Sequence, residues 1–403
     1  MKIANINYSD EPSGSSIAVE RINHMLNHKN IDSNILVFKS NSKNQKISKY
    51  QNFNKFDENL RFFFKKILKK ILHNLFFIKY PYTINFGLLP SSFLKEINSY
   101  NCDIINLHWI GNEILSINQI AKIKKPVIWT LHDMWPYTSI ENYLDTNDYL
   151  LKYIEKKSKL NFFSKFILKK KMKKFKNIKA LICTSKWQSK MCEKSQIFKN
   201  TKKVLIPLPI DFNVWKPVSK EIAREKLNIP MDAKVLYYNL SHVYAKKRKG
   251  FDFVIHFLQN TNLKNLYFVS TNCNSIEIKN SNVNHINFND IKEIKERILL
   301  YSASDILLSP SRLESFGQTV LEAQACGIPS VTFKNTGSED LVHHMKTGYT
   351  CNYLDQDDFD KGIEWCLKQN FNRKTIIDLA EEKFSFSAVG SQYKKFLEKI
   401  NFY

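Results

Sequence analysis

At 403 residues the chain exceeds what one hydrophobic core ordinarily serves, so two domains are expected, and its 43% apolar and 13% aromatic content excludes a disordered or fibrous protein. No apolar run approaches the ~20 residues needed to cross a bilayer. The opening Met1-Lys2-Ile3-Ala4-Asn5-Ile6-Asn7 reads as a first β-strand rather than a signal peptide, so the expected compartment is the cytoplasm. The formal net charge is +23; residues 59–80, with six Lys/Arg and no acid, and 150–180, with twelve Lys and one Glu, together carry +17 of it. Seven scattered cysteines without a C-x-x-C pair read as reduced, structural thiols rather than as a metal or dithiol site.

Strand-like runs at 2–7, 35–38, 103–107, 127–131, 180–184, 204–207, 235–239, 265–270, 285–288, 306–309 and 330–333 alternate with helix-like ones. That alternation is the pattern of parallel sheets with crossover helices, an α/β class. Within 61–78, Phe64, Ile67, Leu68, Ile71, Leu72 and Leu75 recur at helical spacing, with Lys65, Lys66, Lys69 and Lys70 on the opposite face and Phe76, Phe77 and Ile78 widening the apolar side. Residues 160–178 repeat the composition with Phe162, Phe163, Phe166 and Ile167. Such helices either cover a core with a solvated back or lie on an anionic membrane surface; peripheral attachment through 59–80 and 150–180 is the expectation. Pro207, Pro209, Pro217 and Pro230 make 206–217 an extended linker, giving domains at 1–205 and 206–386. A last helix over 387–403 carries Val389, Tyr393, Phe396 and Leu397 on one stripe.

In doubly wound sheets ligands bind beyond the carboxyl ends of the strands. There the sequence places Gly14-Ser15-Ser16 leading into a helix at Ile17, His108-Trp109, His132-Asp133, Arg248-Lys249-Gly250, and the run 310–319. In the last of these a strand, a tight loop and a helix starting near Gly317 would offer free backbone N–H groups to an anion, a phosphate seat formed by Ser315, Phe316, Gly317, Gln318 and Thr319. Glu314 and Glu322, eight positions apart, are suited to paired sugar hydroxyls. The spacing equally fits Glu314 as a cap and Glu322 as a surface residue.

The run Pro310-Ser-x-x-Glu314-Ser-Phe-Gly317-x-x-x-Leu321-Glu322-Ala-x-Ala-Cys-Gly327-x-Pro329 resembles the E-x7-E signature of family 4 retaining glycosyltransferases. Thr336-Gly337, the turn at 344–348 and Arg248-Lys249-Gly250 extend the likeness, and the His108-Trp109 and His132-Asp133-Met134-Trp135-Pro136 runs are similar to the colanic-acid and exopolysaccharide branch. The resemblance implies a GT-B fold: two doubly wound Rossmann-like domains facing each other across a cleft, with the C-terminal helix crossing back to the first. It implies transfer from a nucleotide-diphosphate sugar to a glycan or lipid-linked glycan acceptor. Glu322 would then bind ribose hydroxyls, Glu314 would face the donor sugar, Gly14 would lie at the donor, and Lys249 with Arg248 would neutralise the leaving diphosphate. His132 would orient the transferred sugar, with His108, Trp109 and Asp133 nearby. The arginine that many members carry six positions before Lys-Gly is Val243 here, so Lys246, Lys247 or Arg248 takes its place.

No metal and no other cofactor is expected, because cationic side chains do that work and Asp355-Gln356-Asp357, formally a D-x-D motif, reads as a helix cap. The rival readings are a nucleic-acid-binding protein that uses the same lysines on phosphates, for which no accompanying signature exists, and a phosphorylase or epimerase on the same fold.

Overall fold

The computed structural model describes residues 1–40, 47–50, 55–76, 83–144, 162–240, 245–273, 277–289, 291 and 293–400. Val243, Phe77, Ile78 and positions 150–161 lie outside them. The chain divides into two compact units, Met1–Pro207 with Gly390–Tyr403, and Leu208–Val389.

The first unit is built on a parallel sheet of β1 (Lys2–Ser9), β2 (Asp32–Lys39), β3 (Ile47–Lys49), β4 (Ile104–Leu107), β5 (Val127–Thr130), β6 (Ile178–Cys183) and β7 (Lys202–Leu205), in the order β3-β2-β1-β4-β5-β6-β7. The central strands are buried on both faces, which is why they read as near-continuous apolar runs. Trp129, fully buried on β5, packs against Trp135 and Phe175; each such ring contributes on the order of 3 kcal/mol by leaving water.

The second unit repeats the scheme with β8 (Lys234–Asn239), β9 (Leu266–Thr271), β10 (Val283–Phe288), β11 (Ile306–Ser309), β12 (Ser330–Phe333) and β13 (Gly348–Cys351), ordered β10-β9-β8-β11-β12-β13 and again parallel. Strand order therefore reverses twice, between β1 and β4 and between β8 and β11, and at such a reversal the loops leave the sheet in opposite directions and open a crevice. Two strands were not expected from sequence. β3 is a three-residue edge strand amid lysine and serine, too short for a period. β13 opens on Gly348 at φ 144°, where a Cβ would stand 2.1 Å from the Ser330 carbonyl oxygen, so its turn residues hide a strand.

Helix Lys55–Phe76 corrects the amphipathic expectation. Among the described residues, three polar side chains of this helix turn inward. Arg61 is buried and donates to the carbonyls of Glu113 and Pro90, both at 2.8 Å. Glu58 accepts from Tyr8, and Lys65 bonds the Asn112 amide oxygen at 3.2 Å. Leu68 packs on the core, whereas Phe56, Leu60, Phe63, Ile67 and Ile71 are exposed along one stripe. Lys65 thus leaves the lysine face, whereas exposed Ile67 and Ile71 remain available to a surface; the side chains of Leu72 and Leu75 lie outside the described ones. In helix Phe162–Lys174, Phe163, Ile167 and Leu168 meet the core, Phe162 and Phe166 stand in solvent, and Lys171 is buried. Its ammonium donates to the carbonyls of Trp135 and Thr138 and lies 3.8 Å from the Trp135 ring centroid.

Helix Phe386–Lys399 buries Val389, Tyr393, Phe396 and Leu397, the stripe expected from sequence. Asp355 caps Gln356–Lys368 by accepting from the Asp358 N–H at 3.0 Å.

Candidate active site

In the second unit, β8 and β11 deliver two loops to the reversal. The first ends in Gly250, the N-cap of helix Phe251–Asn260, at φ 66°; a Cβ there would come within 1.8 Å of the Pro310 carbonyl oxygen, so only glycine lets the loops meet. The Arg312 N–H closes the junction on the Arg248 carbonyl at 2.8 Å. This brings Lys249 onto Glu314, whose carboxylate accepts directly from the lysine ammonium, both side chains being about 15% exposed or less. Arg248 stands 4.0 Å from the same carboxylate and donates to the Leu313 carbonyl at 2.8 Å. Burial alone would raise the Glu314 carboxyl, but the Lys249 and Arg248 charges override it and leave it below its ordinary value. Burial lowers Lys249, with Glu314 opposing. Of the three basic residues proposed to replace the arginine, Arg248 lies beside Glu314, while Lys246 lies over the Phe251 ring.

Past Glu314, Ser315 and Phe316 are buried, Phe316 against Phe384. Gly317, at φ 101°, is the N-cap of helix Gln318–Ala325; a Cβ on it would lie 2.5 Å from the buried Ser338 hydroxyl. The first N–H groups of that helix, on half-buried Gln318 and Thr319, point out of its N-terminus toward where an anion would sit. The Gly337 N–H holds the loop on the Glu314 carbonyl at 2.7 Å. Because Gly317 caps this helix, Glu314 does not.

Glu322 is 2% exposed, which excludes the surface-helix reading. Tyr301 donates to one carboxylate oxygen at 3.1 Å and Arg297 to the other at 3.4 Å, with Arg297 itself 5.3 Å from the Trp215 ring centroid. Arg297 and Tyr301 carried no sequence signal: they sit one turn apart on helix Ile294–Ala303, outside every motif.

At the first unit's reversal the loops bring together two imidazoles, an amide and one carboxyl. His108, after β4, is buried, and its Nδ1 lies 2.9 Å from Nε2 of the half-buried His132 after β5. Its Nε2 lies 3.0 Å from the Asn5 amide oxygen on β1. Burial lowers both rings, His132 to about 4, and the neighbouring imidazole further lowers His108. Asp133 is buried and accepts from Trp109 Nε1 at 2.9 Å, Asn142 Nδ2 at 2.5 Å and the Trp135 N–H at 3.0 Å; burial nevertheless raises its carboxyl to about 6. Trp109 and Asp133 thus pin the loop that presents His132. Gly14 opens helix Gly14–His28, three residues earlier than expected, because Ser13 and Ser16 form a reciprocal cap ahead of Ile17.

Two parallel sheets of this order, each with its site loops at the reversal, define the class: a two-domain glycosyltransferase fold of the GT-B type. The chain is similar to Anabaena Alr3699/HepE, solved in complex with UDP and glucose, with TM-score 0.64 and 15% identity over 99% of both chains. Residues 219–383 match the family described as Glycosyl transferases group 1, so the second unit carries a domain of that family and the protein is a glycosyltransferase. An uncharacterized 41.2 kDa protein in the cps region of Klebsiella pneumoniae is 24% identical over 77% of this chain and 83% of its own length. The O-antigen biosynthesis glycosyltransferase WclY of Escherichia coli is 34% identical over 33% of this chain and 38% of its own.

Proposed function

We propose that the protein transfers a sugar, with retention of configuration, from a nucleotide-diphosphate donor to a lipid-linked glycan acceptor in the assembly of a bacterial surface polysaccharide. The observation that carries this is the Lys249–Glu314 pair, with Arg248, set beside the Gly317 helix N-terminus. A departing diphosphate gains negative charge as the glycosidic bond breaks, and fixed cations with aligned N–H groups stabilise that charge as it forms. Glu314 holds Lys249 ready and faces the sugar; Glu322, preset by Tyr301 and Arg297, takes the ribose hydroxyls. The leaving phosphate oxygen takes the acceptor's proton on the same face, so no protein nucleophile enters. Lys249 and Arg248 do the work of a metal ion, and turnover should persist in EDTA. The cps-region and O-antigen relatives support the glycan acceptor.

The same reading places the enzyme on the anionic inner face of the plasma membrane. Helix Lys55–Phe76 turns Glu58, Arg61 and Lys65 inward, leaving Phe56, Leu60, Phe63, Ile67 and Ile71 outward beside exposed Lys66, Lys69 and Lys70. Apolar side chains ringed by lysines match a headgroup layer of negative charge. Thermal shift with UDP, GDP and ADP against an oligonucleotide tests the donor class, and a nucleotide-sugar screen for transfer then names it. Stabilisation by the oligonucleotide alone would overturn the proposal. Cosedimentation that ignores anionic lipid content would overturn its membrane half.

A further inference from the structure

We infer that Asn5 and His108 are positioning residues that fix the tautomer of His132, leaving its Nδ1 as a hydrogen-bond acceptor for a hydroxyl of the transferred sugar. The inference rests on the reading of His132 as a residue that meets that sugar.

Two backbone groups, whose hydrogen-bonding roles cannot change, fix the direction of the chain. The Thr130 N–H bonds one atom of the Asn106 side chain at 3.2 Å, so that atom is the amide oxygen, and the Asn106 NH2 is left to donate to Asn5 at 3.1 Å. The Asn34 carbonyl lies 3.3 Å from the other atom of the Asn5 amide, which must therefore be its NH2; it also donates to Ser33 Oγ at 2.9 Å. Both anchors make the Asn5 atom facing His108 an oxygen, an acceptor only. His108 Nε2, 3.0 Å from it, must carry a proton.

A ring buried to 2% exposure between a neutral amide and another imidazole is neutral, so His108 Nδ1 has a lone pair and accepts. The group 2.9 Å away, His132 Nε2, then has to donate. With its one proton spent inward, neutral His132 has a bare Nδ1, and among the described residues no other group bonds this ring. Asn5, Asn106, His108 and His132 come from β1, β4 and the loops after β4 and β5, so the order of the sheet sets the direction of the whole chain of bonds. A ring with the opposite tautomer would present N–H and repel a hydroxyl proton aimed at it. The preset ring spares the enzyme that reorganisation when substrate binds.

The test is ring-nitrogen NMR on the full-length protein labelled with 15N-histidine, at about pH 7.5, where unperturbed imidazole is neutral. Both rings are expected with protonated Nε2 and bare Nδ1. His108→Leu, which removes the acceptor, should scramble the His132 tautomer and lower kcat/KM on the order of 10-fold, the weight of one hydrogen bond. His108→Asn, whose amide oxygen replaces Nδ1, should recover both readouts relative to His108→Leu. Donor binding should shift the His132 Nδ1 resonance. A protonated Nδ1 on either ring, a His132 tautomer indifferent to His108→Leu, or an unmoved Nδ1 with donor demonstrably bound each overturns the inference alone. A protein that binds no nucleotide sugar overturns the proposed function and this inference with it.

Discussion

The two sheets repeat one strand order, yet their reversals are furnished differently. Between β8 and β11 stand charges: Lys249 and Arg248 on Glu314, and Arg297 on Glu322. Between β1 and β4 stand neutral amides and imidazoles: Asn5, Asn106, His108 and His132. A diphosphate is a concentrated charge whose burial demands fixed opposite charge, whereas sugar hydroxyls ask only for oriented donors and acceptors. The shared topology supplies a crevice in each unit, and the side chains decide whether fixed charge or oriented hydrogen bonding lines it.

The strongest way to break this contrast is Lys249→Ala. Removing the cation should lower kcat about 10²–10³-fold while nucleotide affinity falls far less, read by initial rates and titration calorimetry. The variant should also melt earlier, since Glu314 loses its nearest cation and keeps only Arg248 at 4.0 Å, a loss of up to about 3 kcal/mol. Unchanged turnover with donor bound would sink the charged half of the comparison.

On the proposed reading, in which Glu322 takes the ribose hydroxyls, Glu322→Ala should weaken nucleotide binding about tenfold or more, with the effect falling on KM rather than kcat. Phe63→Asp combined with Ile67→Asp should weaken binding to anionic vesicles by about tenfold, leaving transfer to a soluble acceptor unchanged; a vesicle affinity that does not move would detach this helix from membranes.

The smallest effect sharpens the neutral half. His108 and His132 are held uncharged by burial, His132 down to about 4, while the same rings in the unfolded chain protonate near pH 6.5. The unfolded state therefore binds more protons in that window, and stability falls as pH falls from about 6.5 toward 4. Asp133, raised by burial to about 6, acts in the opposite sense, because the folded chain takes its proton first. Two rings outweigh one acid, so the calorimetric melting temperature should drop with acidification, and a His108→Asn, His132→Gln double variant should drop less.

Much of the fold was legible because buried parallel strands announce themselves as apolar runs between helices. β3 and β13 escaped because a three-residue edge and a glycine-led strand have no such run. Glu314 and Glu322 stood out by their spacing about Gly317, which alone left a cap and a surface residue equally open, and Lys249 by its place before Gly250; the family resemblance supplied their expected roles. The partners of Glu322 did not stand out: Tyr301 and Arg297 lie 21 and 25 positions away, with only the sheet to bring them together. Asn5 was invisible for the same reason, one more residue of a first strand until the β1–β4 pairing sets it under His108. In the basic helix, periodicity finds an apolar stripe and cannot say which way it faces; the buried Arg61 and Glu58 and the exposed Leu60 carried no sequence signal of their placement.

The segment Gly390–Tyr403 belongs to the first unit, with Tyr393 and Leu397 in its interior. A nascent chain emerging from the ribosome therefore cannot finish its leading half when that half is made. The half must wait, with a hydrophobic seam uncovered, through the synthesis of some 180 further residues, and a premature stop anywhere in the trailing portion should expose both halves to chaperones and proteases.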